Sequence, residues 1–117
     1  MSCETAAKAL SAAGQNRTPV AILRDLLGPT DKVGADAAQS INVQERPSIG
    51  ARVAARKIGL NSEAVQRLIG ADRPGYGTLF DNMEVNDDER LSAHRLIQPK
   101  VEAEITIGSK KTCPASM

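Results

Sequence analysis

One phenylalanine, one tyrosine and no tryptophan leave this chain of 117 residues almost nothing bulky to build a core around. Aromatic rings usually dominate interior packing, each burying about 150–250 Å². Without them Ala, Val, Ile and Leu must fill the interior. A chain this short has room for one domain and buries roughly two-thirds of its unfolded surface. Charge narrows the partners. Lys and Arg number 15 against 14 Asp and Glu, a net charge of +1, which argues against electrostatic capture of nucleic acid or of an anionic membrane. Cys3 and Cys113 lie near opposite ends and form no metal-ligand pair, so a reduced cytoplasmic setting is expected. The first residues carry an acid and no apolar stretch, unlike a signal peptide, and no apolar run reaches transmembrane length.

Local patterns predict helices first and strands later. Ala6, Ala9, Leu10 and Ala13 share one helical face within 4–13. Thr18-Pro19 reads as the start of a second helix with Ile22, Leu23, Leu26 and Leu27 inward, closed by Gly28-Pro29. Thr30 or Asp31 caps a third, whose apolar row is Val33, Ala37 and Ile41 and which ends before Pro47. Beyond Gly50 the period changes. Residues 52–60 read as a strand, Ser62 caps a short helix carrying Val65, Leu68 and Ile69, and Gly70 stops it. Residues 72–75 form a turn with Gly75 at positive φ, followed by a brief strand over 77–80. Residues 86–89 are a solvated acidic loop. From Lys100 to Ile107, Val101, Ala103, Ile105 and Ile107 alternate with Glu102, Glu104 and Thr106, the strongest strand pattern in the chain.

That alternation places Glu102 and Glu104 on one face, about 6.6 Å apart along the backbone. Carboxylates so placed repel unless something positive lies between them, and a hard cation such as Mg²⁺ or Mn²⁺ would serve. The plainer alternative is an edge strand with both glutamates in water. Lys57, in the run Arg56-Lys57-Ile58-Gly59-Leu60, either points inward, to pair with an anionic ligand or act in proton transfer, or faces solvent like most lysines. His94 has no partner at ligand spacing and reads as a surface or capping residue. No nucleophile elbow, phosphate-binding glycine loop or zinc signature is present.

Three runs occur in a particular order and spacing: 56–60 (Arg56-Lys57-Ile58-Gly59-Leu60), 70–81 (Gly70 through Tyr76-Gly77 to Asp81) and 98–105 (Gln98-Pro99-Lys100-Val101-Glu102-Ala103-Glu104-Ile105). Together with 23–26 and 37–44, they resemble the N-terminal part of the 2-hydroxypenta-2,4-dienoate (2-oxopent-4-enoate) hydratases of aromatic meta-cleavage pathways, within the fumarylacetoacetate hydrolase superfamily. The resemblance spans about Pro19 to Ile107.

It implies an α+β fold: a helical N-terminal region over 1–50, then the first strands of a truncated fumarylacetoacetate hydrolase-like β-fold over 51–108, with a non-family tail at 109–117. It implies a cytoplasmic hydro-lyase without an organic cofactor, using Mg²⁺ or Mn²⁺ and acting on a small 2-oxo or 2-hydroxy dienoic acid, homo-oligomeric at full length. Glu102 and Glu104 match metal ligands and Lys57 the active-site lysine, which binds the substrate's acid end or assists proton transfer. The same resemblance admits a 2-oxo-3-hexenedioate (4-oxalocrotonate) decarboxylase, and the chain alone also reads as a non-catalytic oligomerisation module.

Three differences from the family stand out. Ala55 replaces a glycine before the Arg-Lys pair, and Gly75 replaces an acidic residue after the turn proline. Family members also run well over twice this length, with a third carboxylate ligand downstream. One permitted coding string for 108–117, read from its third base, continues in a way similar to the family. A frameshift-interrupted and therefore inactive hydratase is the expectation.

Overall fold

Alanine does the packing that rings do elsewhere. The computed structural model describes residues 3–104, in which three helices precede a two-stranded antiparallel sheet. Helix α1 (Cys3–Asn16) lies against α3 (Lys32–Glu45), and the short α2 (Arg24–Leu27) closes the group. Ala6, Ala7 and Ala38 are its buried centre, flanked by Cys3, Leu23, Leu27 and Ile41. Methyl side chains let two backbones come close enough for Asn42 Nδ2 to donate to the Ala7 carbonyl at 3.0 Å. No large side chain is fully buried among the described residues.

Helix α3 starts as its sequence predicts, but its inward face is turned by one residue. Asp31 is the cap, its carboxylate accepting from the Gly34 amide at 2.8 Å. The buried row is Gly34 and Ala38 with Ile41 beside them, whereas Val33 is 76% exposed. Gly34 has a local reason: a Cβ there would run into the Asp31 carboxylate. The helix gives way at Glu45 to a 3₁₀ turn, Arg46–Ile49, which contains Pro47.

The predicted second helix shrinks to one turn. Thr18 does not cap it: its hydroxyl donates back to the Asn16 carbonyl at 3.3 Å, and its amide donates to the Ala13 carbonyl at 3.2 Å and so completes the end of α1. Arg17, between them, takes the left-handed conformation (φ 55) that such an ending needs. Leu23 then precedes α2 with no side-chain cap, and Ile22, expected inward, is 65% exposed.

Strand β1 (Val53–Gly59) pairs with β2 (Gly75–Phe80), with a register shift between Val53 and Ala55. Between them runs α4 (Glu63–Ile69), capped by Ser62 accepting from the Val65 amide at 3.2 Å and ended by Gly70 at φ 71. Its expected apolar stripe finds no cover among the described residues, with Leu68 84% exposed. Gly75 opens β2 instead of supplying a positive-φ turn; it is not among the glycines with positive φ. The predicted strand over 100–107 is not formed in its described part, since the sheet holds β1 and β2 alone and 101–104 pair with neither. Its other half, with Cys113 and the 109–117 tail, lies outside the described residues.

Phe80 is the exception to the exposed sheet. It is buried, with the Arg46 guanidinium 5.7 Å from its ring centre, a cation–π contact that joins the helical and strand regions.

Candidate functional site

Lys57 sits opposite Gly77 in the sheet, so its side chain leaves the face shared with Gly59, Gly75 and Gly77. The other face carries Tyr76, Thr78 and Phe80; Thr78 and Phe80 line an apolar cleft of about 350 Å³ against α3. Lys57 therefore does not enter the interior. Its ammonium Nζ instead meets both predicted carboxylates, Glu104 Oε1 at 2.9 Å and Glu102 Oε2 at 3.6 Å. These partners arrive from a segment 47 residues away in the case of Glu104. All three predicted site residues come together in one patch, even though 101–104 form no strand.

The electrostatics follow from that arrangement. The Glu104 carboxylate, by hydrogen bond and charge, holds the Lys57 amine above its ordinary value, and Glu102 adds to it. Lys57 is thus a cation through the neutral range, suited to anchoring a carboxylate or giving up a proton and poorly suited to being a base. The patch is open: the Lys57 side chain is 43% exposed and that of Glu102 71%. Among the described residues no three His, Cys, Asp or Glu are grouped to hold a metal ion. Two carboxylates are nonetheless the hard oxygen donors that Mg²⁺ takes, with water or a ligand completing its shell.

The two positions that differ from the resembled family cause no crowding here. Ala55 is exposed, and a Cβ at Gly75 would meet nothing within 4 Å. His94 is exposed in a 3₁₀ turn, as expected, and its carbonyl accepts from Arg17 Nε at 3.3 Å.

Sequence reasoning passed over the residues that hold the sheet in place. Asp81 accepts from the Arg52 amide at 3.0 Å and from Arg52 Nε at 3.1 Å, tying the end of β2 to the start of β1. These contacts hold its carboxyl below the usual carboxylate range. Two ion pairs fasten the segment before β2 to α3: Lys32 to Asp72 at 2.6 Å and Asp36 to Arg73 at 3.2 Å. The signal was there, two opposite charges one turn apart on α3 facing two consecutive opposite charges, but nothing local says that these segments meet.

No family model matches the chain. 2-Keto-4-pentenoate hydratase 2 of Dechloromonas aromatica (strain RCB) is 48% identical over 107 residues, covering 92% of this chain and 41% of that protein. The 2-keto-4-pentenoate hydratase of Paraburkholderia xenovorans (strain LB400) is 49% identical over 102 residues, 87% of this chain and 38% of that one. The chain is a homologue of the 2-keto-4-pentenoate hydratases. It spans about two fifths of the length of these relatives.

A solved structure, the 4-oxalocrotonate decarboxylase from Pseudomonas putida G7 complexed with magnesium and adipate, superposes on 68% of the chain and 30% of its own. The TM-score is 0.59 at 22% identity, a likeness of fold. The hydratase homologue thus has the α+β character expected of it, helices followed by an antiparallel strand pair. No helix among its described residues is long and apolar enough to cross a membrane.

Proposed function

We propose that this chain carries part of the active site of a metal-dependent hydro-lyase, one that adds water to 2-hydroxypenta-2,4-dienoate to give 4-hydroxy-2-oxopentanoate in aromatic meta-cleavage catabolism. The observation that carries this reading is the meeting of Lys57 with Glu102 and Glu104, in a chain nearly half identical to named hydratases. Glu102 and Glu104 would hold Mg²⁺ or Mn²⁺, which when bound supplies Lewis acidity toward a 2-oxo acid. Lys57, a cation on the same open patch, would anchor the acid end of the substrate through its ammonium Nζ. The glycines on the same face leave the floor beside it bare, so a flat dienoate meets backbone there without steric conflict.

The division into a helical region, 1–50, and the beginning of a catalytic portion, 51–108, belongs to the same proposal. It is supported by the alanine-centred helix group on one side and the strand pair bearing Lys57 on the other. So do a cytoplasmic setting and a homo-oligomeric full-length form. The exposed apolar side chains on β1, β2 and α4 support further polypeptide covering this region.

The test is a hybrid in which this chain replaces its matched stretch in the Dechloromonas aromatica hydratase. The hybrid is expected to consume the dienoate with water addition, and Lys57→Met to lower its turnover by about 10²-fold or more. Carbon dioxide release from 2-oxo-3-hexenedioate, without hydration, would replace this reading with the decarboxylase one. The chain alone is expected to turn over little or no dienoate.

A further inference from the structure

The ammonium of Lys57 occupies the place between two carboxylates that would otherwise repel. Its bonds to Glu104 at 2.9 Å and Glu102 at 3.6 Å are the contacts that hold the head of this side chain. The side chain is 43% exposed, with Ala55 and Leu79 toward one end of its face and glycines toward the other. Its cross-strand neighbour is Gly77, Gly75 is diagonal to it and Gly59 lies two residues along. A Cβ at any of the three would meet nothing within 4 Å. Lys57 thus has open room on its own face into which to swing.

A divalent cation held by the same oxygens would sit about 2.0–2.1 Å from a carboxylate oxygen, while the ammonium lies 2.9 Å from one. Two cations would then share one acceptor, and the more weakly held, singly charged one gives way. We infer that Lys57 is the resident counter-cation of this site: it holds Glu102 and Glu104 together, and a divalent cation displaces it toward the bare strip at Gly75 and Gly77. This rests on the reading of the glutamates as metal ligands and adds an order to it. The cation binds first, and its arrival frees the amine for an anionic substrate. The two events are linked, so whatever removes the amine's claim on the carboxylates tightens the metal by the same factor.

The measurement is Mn²⁺ affinity of the chain itself, read from free Mn²⁺ by electron paramagnetic resonance, so no turnover is involved. Lys57→Met is expected to bind Mn²⁺ about three- to tenfold more tightly than the unaltered chain, the range set by two exposed ion pairs. Lys57→Arg keeps a competing cation and stays within about twofold of it. Glu102→Gln with Glu104→Gln abolishes binding. In parallel, acylation of the Lys57 amine, read by peptide mass spectrometry, is expected to rise with Mn²⁺ and not with KCl at matched ionic strength. If the double glutamine variant binds Mn²⁺ as well as the unaltered chain does, the metal reading falls and takes this inference with it; if neither the unaltered chain nor Lys57→Met binds any, the displacement inference is overturned while the metal reading stands or falls with the hybrid. If the glutamines abolish binding but Lys57→Met binds no more tightly, the displacement inference alone is overturned.

Discussion

The helical group and the strand pair solve the same shortage of bulky side chains in opposite ways. In the helices, Ala6, Ala7 and Ala38 let α1 and α3 approach until little else is needed between them. The strand pair has no such recourse. Every residue of β1 from Val53 to Ile58 is exposed, and the sheet is held by its ladder, by Asp81 on Arg52 and by the pairs from α3. One region depends on shape and the other, Phe80 apart, on polar contacts. The candidate site residues meet at the second, where the amine and the carboxylates remain reachable by water.

That contrast is broken most severely by adding bulk between the helices. Ala38→Leu is expected to cost about 2–3 kcal/mol in urea unfolding, because the site is 1% exposed and the added carbons force α1 and α3 apart. Asp31→Ala removes the cap of α3 and is expected to cost about 1 kcal/mol by the same measurement. At the other end of the same helix's circumference, Val33→Ala touches a side chain 76% exposed and is expected to change stability by less than about 0.5 kcal/mol. A large loss at Val33 would mean that this face has a partner.

The polar region is sharpened by pH. Asp72 and Asp81 have carboxyls held below their ordinary value by Lys32 and by Arg52 respectively. Their contribution is fully present above the ordinary carboxylate range and is lost as pH falls through their lowered values. The amine of Lys57 is raised, so its contribution is present below the ordinary lysine value and is lost as pH rises through the raised one. Amide exchange of β1 and β2 is therefore expected to quicken at both extremes, corrected for the intrinsic rate. The α1–α3 contact changes least, since its buried centre is alanine. Asp81→Asn is expected to flatten the acid limb at the Arg52 end of β1 and leave the alkaline limb as it was.

Much of the backbone was legible because its signals are local. Ser62 and Gly70 bracket α4, Asp31 starts α3, and the pattern over 52–60 is a strand. The failures share a cause. Thr18 carries a capping side chain, but its hydroxyl and its amide both turn back to the end of α1. The alternation over 100–107 is strong, yet a strand exists only where it pairs, and 101–104 pair with neither β1 nor β2. Apolar rows were misassigned at Val33, Ile22 and Leu68 because periodicity tells which residues share a face without telling which face is covered.

The site divides the same way. Spacing put Glu102 and Glu104 on one side and called for a positive charge between them, and residue type made Lys57 a candidate. That Lys57 is that charge required the chain to return across 47 residues, a closure no local pattern encodes. By itself the sequence determined where α3 and α4 begin, that the core would be made of small side chains, and which three residues to bring forward as candidates. Only the tertiary structure decided which faces are covered, that Asp81 and the α3 ion pairs seat the sheet, and that the amine stands between the carboxylates. The physical reason is range: caps, turns and periodicity act within a few residues, whereas burial and ion pairing depend on what the rest of the chain brings alongside.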